Sequence, residues 1–323
     1  MPGIRIMTTM DIAHRSARIE ESYRYAEMIA SQRKPHLYRV AIFFPDRPRF
    51  LAFCAAYASM RWVDDHVDDL TGMMEDLDSW QDEISGNFSG VIGSIVYGPA
   101  LADTFKRFEL PLEPWLNMKK SMQHDLQTHG FSSYRDFLNY AEGATVAPAA
   151  VFTSLLLHRS QGGIYRTAVP YSTVRDAVRE SAIICYEAHI VRDLKEDMEA
   201  GRSYFPHDEL KQFGLEQTQT VGEEWRPYIK FYVERALGKW EAASRMLAAI
   251  ETEMTHREKL MLHLLTEFYI QSLEKIKRID FDVWSNIHWV EKEEMKALLE
   301  CLRAAFEPGL KLDPLAIKAI EDV

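Results

Sequence analysis

Cysteine is scarce in this chain. Cys54, Cys185 and Cys301 lie far apart and form no CxxC pair, which excludes a zinc ribbon and a disulfide framework and suits a reducing compartment. Basic residues are outnumbered, 38 Lys and Arg against 49 Asp and Glu, for a formal net charge of -11. Nucleic-acid binding needs clustered cations to neutralise phosphates, so that partner is not expected. Gly (15) and Pro (13) are thinly spread, and no low-complexity stretch or linker marks a domain boundary, so residues 1–323 read as a single domain. Strand-type alternation is nearly absent; 164-IYRTAV-169 is the best candidate and a weak one. The longest uncharged run, 143-GATVAPAAVFTSLLLH-158, reads as too short and too rich in Ala, Thr and Pro to span a bilayer. Residues 1–21 lack an apolar centre and do not read as a signal peptide. The expected location is the cytoplasm, with peripheral membrane contact left open.

What is present is helical. The apolar fraction is 47% and the charged fraction 27%, ample for a globular core. In 16-SARIEESYRYAEMIA-30 the apolar residues Ile19, Tyr23, Ala26, Ile29 and Ala30 recur at helical spacing. A second helix is expected from Pro48 to Leu70, with Gly72 as its stop. Segments 114–128, 133–158, 173–199, 223–250 and 255–278 also read as helices, the one over 173–199 capped by Ser172 or Thr173. Asp313 and Pro314 could open a short last helix. The expected fold is all-α, a helical bundle around one core.

One of these helices carries an anomaly. The apolar run 50-FLAFCAAYASM-60 leads into 61-RWVDDHVDDL-70, four aspartates within six residues. Asp64 and Asp68 stand four apart, which on a helix puts both carboxylates on one face with Cβ atoms roughly 5–6 Å apart. Asp65 and Asp69 repeat the spacing, rotated by about 100°. Carboxylates repel one another at this spacing and cost free energy beside an apolar core, so they call for a cation. The device recurs in 192-RDLKEDMEAGRSYFP-206, where Asp193 and Asp197 stand four apart, Glu196 is three from Asp193, and the lead-in 181-SAIICYEAHIV-191 is again apolar.

Hard cations such as Mg²⁺ take oxygen ligands, commonly a few carboxylates plus substrate phosphates. Two facing helices presenting such clusters would hold several Mg²⁺ ions and, through them, a diphosphate. Arg61, Arg192 and Arg202 are then the candidates to pair with its oxygens. A solvated helix end explains a single acidic run well, but two runs with the same pattern and lead-in poorly. An EF-hand fails on His66 at its third position and Asp69 where the loop needs Gly. Tyr57 and Tyr140 are candidates to face a cation, although either would serve equally as core.

The two segments together resemble the squalene and phytoene synthase family of head-to-head prenyl synthases. The family's Tyr, Arg and DDxxD map onto Tyr57, Arg61, Asp64, Asp65 and Asp68. Its RDxxED and GRxYxP tail map onto Arg192, Asp193, Glu196, Asp197, Gly201, Arg202, Tyr204 and Pro206. The resemblance extends through 134-YRDFLNYAEGATV-146, with a small-residue helix break after Tyr140, and 269-YIQSLEKIKRIDFDVW-284, and so covers about residues 35 to 300. It implies a helical bundle in which two allylic diphosphates, farnesyl or geranylgeranyl, share a central cavity. Mg²⁺ would be held by Asp64, Asp65, Asp68, Asp193, Glu196 and Asp197, with Tyr57, Arg61, Arg192 and Tyr140 in catalytic roles and Arg202 and Tyr204 on the substrate. Two ionisations, through a cyclopropyl diphosphate, would give a squalene-, dehydrosqualene- or phytoene-type product, with NADPH as the added cofactor in the squalene case.

The chain departs from the family pattern at four places. His189 stands where the family has Asn, and Tyr186 where Gln is common. The N-terminal diphosphate contact is replaced by 33-RKPHLYRVAIFFP-45, offering Arg33, Lys34, His36 and Arg39, and Asn286 stands where Arg is expected. His189 is expected to line the pocket rather than bind Mg²⁺, which imidazole suits poorly. Two other readings stay open: a class I terpene cyclase or other prenyltransferase, and an inactive relative acting as an assembly factor.

Overall fold

A computed structural model of the chain describes residues 9–32, 35–68, 74–128, 130–218, 220–285 and 290–309, with side chains described from Ser16. The expected all-α class is observed, in thirteen helices among the described residues. They are α1 (Thr9–Ser31), α2 (His36–Ala41), α3 (Arg47–Asp68), α4 (Met74–Phe88), α5 (Gly98–Phe108), α6 (Glu113–Gln127), α7 (Tyr134–Ala141), α8 (Ala147–Leu157), α9 (Tyr171–Glu199), α10 (His207–Gln212), α11 (Arg226–Glu251), α12 (His256–Arg278) and α13 (Lys292–Phe306). The weak strand expectation shrinks to one arm of a hairpin, β1 (Arg159–Gln161) antiparallel to β2 (Ile164–Arg166), closed by Gly162 and Gly163 at φ 61° and 90°.

α9 packs against α8, α11 and α12, while α3 packs against α1, α5, α6 and α8. Their apolar faces meet in one contiguous buried cluster. Two indoles fasten α4 and α6 to α3 at the same residue. Trp80 Nε1 donates to the Ser59 carbonyl at 3.1 Å, and Trp115 Nε1 donates to the Ser59 hydroxyl at 2.8 Å. Buried indole N–H groups need such partners, and a single serine supplies both.

The ends of α3 and α12 are fixed by a buried ion network. Glu258, fully buried in the first turn of α12, accepts from Arg49 Nη1 at 2.5 Å and from Arg159 Nη2 at 2.6 Å. It also closes a capping box with Thr255. Arg49 Nη1 bonds the Leu156 carbonyl as well, at 3.0 Å, so the N-terminal ends of α3 and α12 and the C-terminal end of α8 meet at one point. Asp64 lies fifteen residues along α3 from Arg49, about 22 Å at the helical rise per residue. The network thus sets which end of the bundle holds the carboxylates.

Several boundaries differ from expectation. The cap of α9 is Pro170 rather than Ser172 or Thr173, because the Val174 amide already bonds the Pro170 carbonyl and proline's fixed φ suits entry into the helix. The segment expected as one helix over 133–158 is α7, a five-residue π-turn at Glu142–Val146, and α8. Taken together this rod, Tyr134–Leu157, is long and apolar enough to cross a membrane, so length was the wrong ground for excluding a span. Burial is the better one, since 72% of its most apolar window lies inside the fold. Helices α2, α4, α5, α10 and α13 were not anticipated. The 3–4 spacing of Leu77, Trp80 and Ile84 in α4, and of Met295, Leu298, Leu299 and Leu302 in α13, is the signal that would have found two of them. Gly72 and the helix expected near Asp313 lie outside the described residues.

The π-turn lies hard against α6. A Cβ on Gly143 would sit 2.1 Å from the Asn117 carbonyl oxygen and 2.3 Å from the Ser121 hydroxyl, so only glycine lets the rod approach α6 this closely. The extra residue per turn leaves the Tyr140 carbonyl to accept from Ser121 Oγ at 2.6 Å. Gly143→Ala is therefore expected to destabilise the protein by about 1–3 kcal/mol through overpacking. The urea midpoint should fall at unchanged slope; an unchanged midpoint would contradict the close approach.

Candidate active site

The two carboxylate clusters, 129 positions apart between Asp64 and Asp193, face each other across the bundle. A cavity of about 220 Å³ is lined by Asp64 from α3 and by Asp193 and Asp197 from α9, together with Asp125, Tyr140, Tyr186, His189, Arg202 and Tyr204. A second cavity, of about 400 Å³, adjoins it and shares Asp64, Tyr186 and His189. One stripe from each of four helices walls it: Tyr57 and Arg61 on α3, Ala149 and Thr153 on α8, Val178, Ala182 and Cys185 on α9, and Leu262, Thr266 and Tyr269 on α12. The spacing within each stripe is three or four residues, which presents one helix face to the space. Val178 lies fourteen residues from Arg192, so the α9 wall is about 21 Å long. The arrangement is a carboxylate-rich chamber opening onto a long, mostly apolar one.

The RDxxED and GRxYxP segments are positioned by backbone geometry. Gly201 ends α9 with φ 73°, and the Arg202 amide turns back to the Asp197 carbonyl at 2.8 Å. The chain then bridges to the loop after α6, where His207 N bonds the Phe131 carbonyl at 2.8 Å. That crossing brings Arg202 and Tyr204 over the carboxylate chamber.

Most of the expected residues lie at these cavities, in unequal positions. Tyr57, Arg61, Arg192 and His36 line the apolar chamber, and Tyr140, Arg202 and Tyr204 the carboxylate chamber. Asp65 lines neither; it pairs with Arg61 at 2.6 Å one turn away on the same helix. Glu196 points to solvent and Arg39 lines neither chamber. The Asp68 side chain, Arg33, Lys34, Asp69 and Asn286 lie outside what the structure describes. Asp125 on α6 was not anticipated. It accepts from the Tyr140 hydroxyl at 2.8 Å, and a lone aspartate on an amphipathic helix gives no sequence signal of that contact.

Three of the aspartates stand beside an arginine: Asp65 beside Arg61, Asp193 beside Arg192 and Asp197 near Arg202. Arg192 grips both oxygens of Asp193, and Arg202 approaches Asp197 at 3.9 Å. The hydrogen bond to Asp65 holds Arg61 above its ordinary value. Burial works against the Arg192 charge, yet its bond to Asp193 leaves it raised as well. Burial, and then the neighbouring tyrosines, push Tyr140 and Tyr186 far up, so both stay protonated donors.

His189 does what its position suggested and lines the chambers. Its Nε2 lies 2.7 Å from the Tyr269 hydroxyl. Burial, then Arg192 and His36, drive its pKa well below 6.5 and keep the ring neutral. His36 corrects the sequence reading. It was expected as a diphosphate contact, but it stacks on Phe268 at 4.1 Å between ring centres, its Nε2 faces the Leu264 carbonyl at 3.3 Å, and burial lowers its pKa to about 3. It is a neutral wall of the apolar chamber and offers a diphosphate no charge.

Among the described residues no three His, Cys, Asp or Glu side chains converge on one point as direct ligands. Mg²⁺ does not require this, because it keeps several waters and commonly takes one or two carboxylates plus substrate phosphates. Asp64 on one wall and Asp193 and Asp197 on the other are the hard oxygen donors such ions favour, so the donor set fits.

Comparison with known proteins decides the family. The sequence profile of Squalene/phytoene synthase matches residues 32–293. This chain belongs to that family. Membership places it among prenyltransferases. It is 25% identical over 289 residues to the chloroplastic phytoene synthase of Narcissus pseudonarcissus, covering 87% of this chain and 66% of that one. It is 24% identical over 278 residues to the 15-cis-phytoene synthase of Synechococcus elongatus, covering 83% and 88%. The solved structure of a dehydrosqualene synthase in complex with ligand superimposes with a TM-score of 0.75 at 15% identity, over 91% of this chain and 99% of that one, which shows a shared fold.

The neutral state of His36 has a pH signature. Its pKa is about 3 folded and 6.5 as a free side chain. The unfolded chain therefore binds the extra proton between those values. Stability is fully present above pH 6.5 and falls as pH drops toward 3. Because part of the ring faces the cavity, the loss at pH 5 is about 1–2 kcal/mol. His36→Phe, which keeps the stack on Phe268, should shrink the pH 7 to pH 5 loss of unfolding free energy by that amount. An unchanged loss would mean the ring is protonated in the fold.

Proposed function

We propose that the chain joins two allylic prenyl diphosphates head to head, with Mg²⁺ as its metal. The observation that carries this reading is the opposition of Asp64 to Asp193 and Asp197 across one chamber that opens onto an apolar one. Carboxylates from two apolar helices suit metal and diphosphate. They do not suit acid–base hydrolysis, which would need one carboxyl with a raised pKa and one without. When bound, Mg²⁺ would neutralise the leaving diphosphate as a Lewis acid.

The chain's own residues supply the rest. Asp64, Asp193 and Asp197 hold the metal, with Asp68 as their expected companion on α3. Asp65 acts one step back by orienting Arg61. Arg61, Arg192 and Arg202 offer planar guanidinium groups to the diphosphate oxygens. Glu196, pointing to solvent, is left without a metal role in this reading. The stripes of α8, α9 and α12 enclose the prenyl tails and exclude water, which would otherwise quench an allylic cation. Tyr57, Tyr140, Tyr186 and Tyr204 turn aromatic surface toward the chamber where that cation forms. The route through a cyclopropyl diphosphate is the one the family resemblance implies, and the likeness to proteins named phytoene synthases favours a phytoene-type product.

The test is incubation of the protein with farnesyl or geranylgeranyl diphosphate and Mg²⁺, with and without NADPH, followed by analysis of diphosphate release and product. Release with a coupled C30 or C40 product is expected. A cyclised single-prenyl product would favour the terpene cyclase reading, and no release from either substrate would sink the enzyme reading. Asp64→Asn and Asp193→Asn should each lower kcat by roughly 10²–10³-fold, the scale of losing one stabiliser of transition-state charge. Their thermal melts should stay near that of the wild type. Wild-type turnover in either variant would remove that residue from the metal site.

A further inference from the structure

The apolar chamber contains a polar pair that the metal and diphosphate do not use. Tyr269 on α12 and His189 on α9 meet with the hydroxyl 2.7 Å from Nε2, and both line the chamber. His189 also lines the carboxylate chamber, so the pair stands at the junction between the tail space and the diphosphate space. The Tyr269 ring also meets His36 edge-on at 5.6 Å, and His36 is itself fixed by its stack on Phe268.

A prenyl cation in a dry chamber can end in several ways, and the acceptor nearest its last carbon selects among them. The groups lining the apolar chamber that can take up a proton are Asp64, His36 and His189. Asp64 belongs to the carboxylate chamber as a metal donor, and His36, donating through Nε2 to the Leu264 carbonyl, lines only the apolar chamber and has no route to the diphosphate space. His189 remains, linked to the chamber through a phenol.

We infer that the Tyr269–His189 pair is the proton acceptor that ends the reaction, so that the product is an alkene formed by elimination. This rests on the head-to-head reading above. The C–H bond beside the last cationic carbon breaks, and its electron pair becomes the new C=C bond. The proton passes to the Tyr269 oxygen while the tyrosine's own proton moves to His189 Nε2, in the tautomer where Nε2 carries the lone pair. The imidazolium then returns the proton to the diphosphate released in the adjoining chamber. No oxidant or reductant is consumed. The neutrality of the ring suits the task, since a charged imidazole beside the chamber would repel the cation it must quench.

The experiment compares wild type, His189→Phe and Tyr269→Phe with Mg²⁺ and each of the two prenyl diphosphates, without NADPH. It reads the ratio of eliminated alkene to cyclopropyl diphosphate, with thermal melts alongside. The wild type should yield the alkene, and in both variants the ratio should drop roughly 10²-fold, the usual worth of a positioned proton acceptor. A merely structural role would slow both products together and leave the ratio unchanged, which would overturn the inference. If His189→Phe fails to fold, Tyr269→Phe decides alone. A wild-type enzyme that releases diphosphate but stops at the cyclopropyl stage, or makes an alcohol, overturns the pair's role and leaves the head-to-head reading standing. A wild type that releases no diphosphate overturns both.

Discussion

Asp64, Asp193 and Asp197 meet at a single chamber, and the bundle must bring these like charges together without flying apart or filling with protons. At a few ångströms, unscreened carboxylates repel by several kcal/mol in the partly buried setting. The structure offsets this by giving the clusters arginines: Arg61 on Asp65, Arg192 on Asp193 and Arg202 near Asp197. These pairings place positive charge beside the carboxylates and guanidinium groups where a diphosphate would sit. The same groups thus stabilise the empty chamber and would bind the filled one.

The helices that carry the charges are held by features at their other ends and faces. Arg49, Arg159 and Glu258 lock α3, α8 and α12 together about two-thirds of a helix length away from the carboxylates. On the face of α9 opposite the chamber, fully buried Glu187 accepts from Tyr134 at 3.0 Å and lies 3.6 Å from Arg235 on α11. Breaking a buried pair of this kind leaves an uncompensated charge and is strongly destabilising. These contacts set the distance across which Asp64 faces Asp193, and so reach the site without touching it.

The division between the two chambers explains why the departures from the family pattern need not disturb the metal chemistry. His36 is neutral and lines the apolar chamber alone, while His189, also neutral, stands at the junction of the two, each with a protein partner. They change what the prenyl chain and its cation meet, while the carboxylates remain with their arginines.

The amino-acid sequence by itself determined the all-α class, most of the long helices and the two aspartate clusters, because helical periodicity and i, i+4 spacing are local properties written in consecutive residues. It also marked Arg61, Arg192, Arg202 and Tyr204, since each lies within a few positions of a cluster. Only the tertiary structure decided what depends on distant segments meeting. Asp125 joins the site from α6, where the Tyr140 hydroxyl of α7 donates to it; Asp65 is drawn off by Arg61; Glu196 turns to solvent; and His36 loses its charge in a pocket built by α12. Burial and partnership set the role of each of those side chains, and neither is visible until the helices pack.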